Sequence, residues 1–437
     1  MNIINAADFG ASSGSDSTTA IQKAIDTAEQ SGGKVVVPEG VYYIRTLNLR
    51  GVTLELEKCA VLTAVPEPDA YDELPIIHNE LGTVNPVLYS IGSDGLHVCG
   101  QGTIDLNARG YFEEERNIPD YGVTFTPDEV AESTKKYKKR STQPIFLKDC
   151  TNILWEGVTV KDAPCWTFSF NQCRYIRILN INIQNDLTIP NDDGIHFCGC
   201  SDVFIHGCYI SAGDDCIAFT GITDWETPCE RIVVSNCIFE SSSKAISIGY
   251  MHSIVRNVTI TNCQVHNSNR ALAIMSSAHT GLVENVIVSD CLLDARAHAG
   301  NWWGNGEPIV IVAVYHDNPG NRFPIPKREF AVNVRNVIFS NLICTAENVV
   351  GLVGAPWENI ENVRMDGIMY QRKPQKYMYL KGVGFIDCAP APESPTVADF
   401  DHTWLYASGV RGLSLSGNTI ENWKGNVLGT EIHDVRS

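Results

Sequence analysis

One phrase recurs along the middle of the chain, as Asp202-Val-Phe-Ile-His-Gly-Cys208, Arg231-Ile-Val-Val-Ser-Asn-Cys237, Asn257-Val-Thr-Ile-Thr-Asn-Cys263 and Asn285-Val-Ile-Val-Ser-Asp-Cys291. Related copies begin at positions 152, 175 and 336, and the starts at 175, 202, 231, 257 and 285 are separated by 27, 29, 26 and 28 residues. Apolar and polar residues alternate inside each copy, which is typical of a strand with one buried face. A period of this length predicts an all-β solenoid of stacked coils.

The last position of the phrase carries small apolar residues throughout. Cysteine occupies it in the four quoted copies, and Val158, Ile181 and Leu342 occupy it in the others. This exchange indicates an interior ladder and not a redox or metal site. The chain has 15 cysteines, an odd count without paired C-x-x-C spacing, so we expect no zinc and no other metal or cofactor. Many buried free thiols favour a reducing compartment.

Composition and charge limit the classes of partner. The 437 residues carry 33 Lys and Arg against 51 Asp and Glu, a formal net charge of -18, which disfavours nucleic acid. No apolar run approaches the ~18 residues of a membrane span. The first residues lack the basic and apolar pattern of a secretory signal, so we expect a cytoplasmic protein without membrane contact. The sequence leaves open whether the chain forms a homo-oligomer.

We expect a single β-helix domain over residues 1–437, with two departures from the repeat. Apolar residues at helical spacing predict a capping helix over residues 17–31, which would cover the open end of the stack. Residues 106–142 are rich in charge and predict a loop insertion over the groove. Its basic run at 135–140 is interpreted either as a solvated loop or as a contact to an anion.

Two acidic stretches lie one coil apart. They are Asn191-Asp192-Asp193-Gly194 and Gly213-Asp214-Asp215-Cys216, with Asp193 and Asp214 separated by 21 positions. Because neighbouring coils lie ~4.8 Å apart, the carboxyl groups should converge, and at least one pKa should rise. A carboxylic acid beside ionised partners can cleave a glycosidic bond. The alternatives are plain turn sequences or a calcium site.

At these residues the chain resembles glycoside hydrolase family 28, the polygalacturonases and their relatives, which fold as right-handed parallel β-helices. The resemblance implies an all-β, right-handed parallel β-helix for this chain. The resemblance runs from about Ala7 to the final coils, and its supporting stretches are Gly100-Gln-Gly-Thr-Ile-Asp105, Phe146-Leu-Lys-Asp-Cys-Thr-Asn152 and Val158-Thr-Val-Lys-Asp-Ala-Pro-Cys-Trp166. The family's Asn-Thr-Asp and Gly-Asp-Asp motifs correspond to residues 191–193, with Asp192 in the Thr place, and to residues 213–215. The resemblance implies that Asp214 is the general acid and that Asp193 and Asp215 activate water in an inverting hydrolysis.

Other family motifs are absent. Where polygalacturonases have a His-Gly pair before Leu-Ser-Ile-Gly, this chain reads Lys244-Ala245 before Ile-Ser-Ile-Gly. Where they have the Arg-Ile-Lys that holds the uronate carboxylate, it reads Ala273-Ile274-Met275. Ala and Met cannot form a charge-assisted bond, so the carboxylate-binding pair is expected to be lost.

Several residues are candidates to bind substrate instead. Lys244 could supply the missing charge or be an exposed structural lysine. Trp302 and Trp303, in a Gly- and Asn-rich stretch, suit stacking on sugar faces, although packing of a coil insertion would explain them equally. Glu307, Arg270 and His252 are further candidates for the same cleft. A further histidine, at position 196, fits either the core or the cleft.

The expected function is hydrolysis of a small oligosaccharide, either a pectic fragment or a neutral glycan. We expect exo-action and a specificity that differs from a typical polygalacturonase. A transglycosylase, epimerase or lyase on the same scaffold is an alternative, since fold does not fix chemistry. A non-catalytic carbohydrate-binding β-helix is the third interpretation.

Overall fold

The computed structural model describes residues 2–140, 143–315, 325–391 and 394–436. Within these ranges the chain winds as a right-handed parallel β-helix, and each complete coil contributes one strand to each of three faces. The all-β prediction is confirmed. The predicted insertion at 106–142 extends two residues beyond the described part at its end.

The first face contains the recurring phrase. Its strands are Ile3–Asn5, Lys34–Val37, Thr53–Leu56, His97–Gly100, Thr151–Glu156, Arg174–Leu179, Ser201–His206, Cys229–Ser235, Ile254–Thr261, Leu282–Ser289, Val334–Ser340 and Ile360–Asp366. The opening residue of the phrase has a left-handed backbone, with φ of 59° at Asn257 and 58° at Asn285. Asparagine tolerates this conformation, and the Asn285 side chain donates to Asn257 Oδ1 at 3.0 Å. The phrase therefore encodes both the bend into a strand and the stacking of one coil on the next.

The second face is a separate sheet of short strands. They are Gly40–Ile44, Ala60–Ala64, Thr103–Asp105, Thr159–Lys161, Asn182–Gln184, Tyr209–Ala212, Ile238–Ser241, Gln264–Ser268, Leu292–Ala295, Ile343–Ala346, Met369–Arg372 and Thr419–Asn422. All of its pairings are parallel, and the register continues from coil to coil with one irregularity, between Val265 and Ser268.

The third face supports the functional site. Its strands are Leu47–Asn48, Leu88–Ile91, Ile145–Lys148, Phe168–Asn171, Ile195–Cys198, Ile217–Thr220, Lys244–Ile248, Arg270–Ser277, Glu307–Tyr315 and Val350–Val353. Strand Thr403–Ser416 continues both the first and third faces and pairs with Gly429–Arg436. Phe197 stacks on Phe170 and Phe219 inside the coil at 5.1 and 5.3 Å, so the alternate residue His196 points outward.

The core is the interior of the coil. The seven residues at the last position of the phrase are all buried, which confirms the interior ladder, and thirteen of the 15 cysteines are buried and free. A helix, Thr18–Ser31, packs Ile21 and Ile25 against the first coils, close to the predicted 17–31. The other helical segments are Ala6–Phe9, Ala108–Gly110, Pro127–Glu132, Met378–Lys381 and Phe400–His402.

Two antiparallel hairpins leave the coils. Strands Ile77–His78 and Gly82–Thr83 form one, and Phe112–Arg116 with Lys135–Tyr137 forms the other. The second hairpin lies in the charged stretch that the sequence marked as an insertion. Both reach the third face, where they contribute to the site described next.

Candidate active site

The turns between the second and third faces place five of the predicted site residues in one row. The register pairs Ile195 with Ile217 and Lys244 with Arg270, and by the same register Asp193 lies beside Asp215. The row therefore runs Asp193, Asp215, Lys244, Arg270 and Glu307, one residue for each successive coil. Neighbouring members are about 4.8 Å apart in the backbone, which explains why residues far apart in sequence interact here.

Asp192 fixes the turn that carries Asp214. Its Oδ1 accepts hydrogen bonds from the backbone N–H groups of Gly213, at 2.6 Å, and of Asp214, at 3.1 Å. The Ser241 hydroxyl donates to the Asp214 carbonyl at 2.5 Å, and the Asn191 amide donates to Asp214 Oδ2 at 3.2 Å. Asp214 Oδ1 is buried without a hydrogen-bond partner among the described residues. The backbone of Asp214 is thus held at its N–H and its carbonyl, and its carboxyl group has one oxygen bonded to Asn191 and one left for a ligand.

Asp193 is joined to an outward histidine. His196 Nδ1 and Asp193 Oδ2 share a hydrogen bond of 2.9 Å, and His196 Nε2 shares another, of 3.0 Å, with the Thr220 hydroxyl. Trp166 stacks on the imidazole at 3.6 Å. Burial lowers the pKa of His196 well below its ordinary value, so the ring is neutral. His196 therefore orients Asp193 and adds no charge, and it lines the cleft.

Asp215 forms an ion pair with Lys244. Lys244 Nζ lies 3.0 Å from Asp215 Oδ1, and both side chains are buried. Burial lowers the pKa of Lys244, but the Asp215 and Asp214 carboxylates outweigh burial, so the pKa is raised overall. The ammonium also lies 5.9 Å from the Trp303 ring centre. Lys244 therefore stays charged beside the carboxylates, in the position where the family has histidine.

The carboxyl groups influence one another as the spacing predicted. Burial and the neighbouring Asp214 and Asp215 raise the pKa of Asp193 well above its ordinary value. Burial raises the pKa of Asp215 to about 7, against the opposing effect of Lys244. The cluster of carboxyl groups consequently retains a proton near neutral pH, and Lys244 favours the ionised form of Asp215 within the cluster. This combination of an acid and a carboxylate is what glycosidic cleavage needs.

These residues line one pocket of about 480 Å³ on the outside of the third face. Its polar wall includes Asn191, Asp193, Asp214, Asp215, Lys244 and Glu80, together with His196, Thr220 and Ser247. Its apolar and aromatic wall includes Trp166, Tyr250, Trp303 and Pro390. Carboxyl groups beside aromatic rings suit the binding of sugar units.

Residues 377–391, here called the cover segment, close one side of the pocket. Met378 and Ile386 belong to the same buried apolar cluster as Ala273 and Met275, the residues that stand where the family has Arg-Ile-Lys. Pro390 of this segment reaches the pocket. The charged pair is thus replaced by apolar side chains because a polypeptide segment covers that part of the face.

Four predicted binding residues lie elsewhere. Arg270 and Glu307 have no exposed surface, and Arg270 interacts with Glu307 and with Asp387 of the cover segment. Glu307 accepts hydrogen bonds from the backbone N–H groups of Asn305 and Asp387. Neither of these two side chains lines the pocket: they anchor the cover segment, because their row runs beneath it.

Trp302 and His252 are also buried by tertiary contacts. Trp302 is 5% exposed and donates from Nε1 to the Glu132 carbonyl, whereas Trp303 is 37% exposed and faces the pocket. His252 is fully buried and shares a hydrogen bond with the Thr280 hydroxyl at 2.7 Å. Of the six predicted binding residues, Lys244 and Trp303 line this pocket, and the other four do not.

The charged insertion borders the site. Tyr137 donates from its hydroxyl to the Pro190 carbonyl at 2.6 Å, and the exposed Arg140 donates to Asn191 Oδ1 at 3.2 Å. Lys135 pairs with Asp186 at 2.5 Å. The hairpin thus braces the turn that carries the catalytic candidates.

Glu80 is a pocket residue that no pattern in the sequence predicts. It lies in the tip of the hairpin formed by Ile77–His78 and Gly82–Thr83, outside every repeat, so neither period nor motif marks it. Trp166 closes a stretch quoted for the family resemblance, and its place in the site could have been inferred from that stretch.

The described ranges contain neither a metal-binding cluster of side chains nor a membrane-spanning helix. No group of three or more His, Cys, Asp or Glu side chains there is arranged to hold a metal ion. No helix in the same ranges has the length and apolar character needed to cross a membrane.

Comparisons with known proteins agree with this geometry. The profile of "Glycosyl hydrolases family 28" matches residues 95–384. A polygalacturonase of Nicotiana tabacum is 25% identical over 370 residues, covering 81% of each chain. A polygalacturonase of Persea americana is 22% identical, covering 80% of this chain and 69% of its own.

Two solved structures share the fold. The family 28 exopolygalacturonase of Yersinia enterocolitica superposes with a TM-score of 0.68 at 17% identity, covering 99% of this chain and 78% of its own. The exopolygalacturonase of Thermotoga maritima superposes with a TM-score of 0.63 at 22% identity, covering 85% of this chain and 87% of its own.

Proposed function

From the premise that the chain belongs to glycosyl hydrolase family 28, we propose that it hydrolyses a small oligosaccharide by an inverting mechanism on Asp193, Asp214 and Asp215. The observation that carries this proposal is the convergence of the three carboxyl groups on one small pocket. Family membership makes the chain a glycoside hydrolase; the reaction course and the substrate are the proposal.

In the proposed reaction Asp214 protonates the glycosidic oxygen while the bond from that oxygen to the anomeric carbon breaks. Its buried Oδ1, without a partner among the described residues, is the atom available to the leaving group. A water molecule attacks the anomeric carbon from the opposite face and gives its proton to a carboxylate. Lys244 favours the ionised form of Asp215, so Asp215 is the better base, and His196 orients Asp193 beside it.

Exo-action is proposed because the pocket is small and bounded. The cover segment closes it through Pro390 on one side, and Glu80 of the hairpin at residues 77–83 borders it on another. Such a pocket suits the end of a chain better than the middle of a polymer. The two superposed enzymes are named as exopolygalacturonases, which supports the same proposal.

Two features set the proposed specificity apart from a polygalacturonase. Ala273 and Met275 stand in place of the cationic pair and lie under the cover segment. Lys244, the cation in the pocket wall, forms an ion pair with Asp215.

We also propose a cytoplasmic location, supported by the thirteen buried free thiols.

Proton NMR of a mixed panel of pectic and neutral oligosaccharides tests the hydrolase. The native protein should produce an anomeric signal of inverted configuration, and Asp214→Asn should produce none while keeping its circular dichroism. Asp149→Asn is the matched control, because Asp149 is an exposed turn residue with φ of 54°, a conformation that asparagine adopts readily. Turnover by Asp214→Asn would remove Asp214 as the acid, and a retained configuration would remove the inverting course.

A further inference from the structure

Glu80 is held rigidly at the edge of the pocket by its hairpin. The neighbouring Asn79 side chain donates to the Ile222 carbonyl at 2.7 Å and ties the hairpin to the third face. His78 Nδ1 accepts from the backbone N–H groups of Glu80 and Leu81, both at 3.2 Å. The His78 ring packs edge-on against Trp166 at 5.2 Å. The position of Glu80 is therefore determined by the fold and not by a free loop.

The Glu80 carboxyl group lacks a partner where one is expected. Its Oε2 is buried and has no hydrogen-bond partner within the described part of the chain, although the residue lines the pocket with Asp214 and Lys244. An unsatisfied buried carboxyl oxygen is costly, which makes it a natural contact for a bound molecule. Burial raises the pKa of Glu80 to about 7, opposed by Arg140. Near neutral pH the group can therefore both accept and donate hydrogen bonds.

The charge of the pocket determines which ligand fits. Four carboxyl groups line it, from Glu80, Asp193, Asp214 and Asp215, and Lys244 is already paired with one of them. A uronate carboxylate placed here would meet like charges or force proton uptake. Hydroxyl groups would instead satisfy Glu80, and the exposed ring of Trp303 offers an apolar face to sugar C–H groups.

We propose that Glu80 is a specificity-determining residue that hydrogen-bonds the hydroxyl groups of an uncharged sugar unit in this pocket, so that neutral sugar is selected over uronate. The proposal names the substrate class of the site and rests on the proposed function. It assigns to the terminal unit of the substrate a neutral hexose or deoxyhexose. The exposed Arg140 lies beside Asn191 at the rim of the pocket.

Saturation-transfer NMR tests the proposal without requiring turnover. The protein is mixed with D-galactose, D-glucose and L-rhamnose, together with D-galacturonate and D-glucuronate, so that two pairs differ only at carbon 6. Neutral sugars should be saturated at least about tenfold more strongly than the matched uronates. Glu80→Ala should weaken binding of the neutral sugars about tenfold, because a hydrogen bond to a carboxyl group is lost. Glu80→Gln should keep the affinity for the neutral sugars within about a few-fold of the native value. It should reduce the preference for neutral sugars over uronates, because it removes only the negative charge.

Glu73→Gln is the matched control, since Glu73 is exposed in the same excursion of the chain, and it should change nothing. Circular dichroism checks that each variant is folded. Equal or stronger saturation of the uronates, no saturation of neutral sugars, or full binding by folded Glu80→Ala would each overturn the proposal. Hydrolysis that depends on Asp214, combined with any of these results, would leave the hydrolase standing. Binding of neutral sugars through Glu80 without hydrolysis that depends on Asp214 would support the proposed specificity and refute the proposed hydrolytic reaction.

Discussion

Replacing Lys244 by methionine tests how the pocket keeps Asp215 ionised. The two charges are 3.0 Å apart and buried, and at an effective dielectric constant of about 20 their attraction is about 5 kcal/mol, or at most about 4 pK units. The pKa of Asp215 is about 7 with the cation present, because burial outweighs the cation. Methionine fills similar space beside Trp303 without charge. We therefore expect the pKa of Asp215 to rise by at least about two units.

The sign of the change gives two measurements. In protein labelled with ¹³C at the aspartate carboxyl groups, the resonance that titrates near pH 7 should move to higher pH in Lys244→Met. If Asp215 is the base, a rise from about 7 to about 9 lowers its ionised fraction at pH 7 from about one half to about one in a hundred. The kcat at pH 7 should fall about fifty-fold and recover as the pH rises.

Lys244→Arg is the control, because it keeps a cation beside Asp215. It should leave the titration near pH 7 within about one unit of the native value. An unmoved resonance in Lys244→Met would refute the electrostatic reasoning. A fall in kcat of the same size at every pH would show that methionine disturbs the site in another way.

Two further predictions test the turn and the core. Asp192→Ala removes the acceptor of the Gly213 and Asp214 N–H groups, so the free energy of unfolding should fall by about 2–6 kcal/mol and kcat should fall with it. Asp192→Asn should keep both the stability and kcat. Urea unfolding and the rate assay measure these effects, and an Ala variant as active and stable as the native protein would contradict the prediction. A thiol reagent should label the exposed Cys59 rapidly. It should label the half-buried Cys99 slowly, because burial raises the pKa of the Cys99 thiol to about 11, and the remaining thirteen cysteines only in denaturant. Rapid labelling of all fifteen cysteines in the folded protein would contradict their predicted place in the coil interior.

The contacts that the sequence could not indicate join distant segments. Arg270 bonds to Asp387, 117 positions away, and Trp302 bonds to Glu132, 170 positions away. Asn79, which fixes the hairpin of Glu80, bonds to a carbonyl 143 positions away. In each contact one partner, Asp387, Glu132 or Asn79, lies outside the repeat, so no periodic signal links the two residues. For that reason Trp302 and Arg270 could be taken for binding residues, and Glu80 could not be found.

The sequence by itself determined the coil, its buried ladder and the convergence of Asp193, Asp214 and Asp215. Each depends on contacts between one coil and the next, and a repeat of 26 to 29 residues writes such contacts into the local pattern. Only the tertiary structure decided which side chains of the row face the pocket and which lie beneath the cover segment. That choice depends on how non-repeating segments pack on the third face, and packing between segments so far apart in the chain leaves no trace in local alternation or spacing.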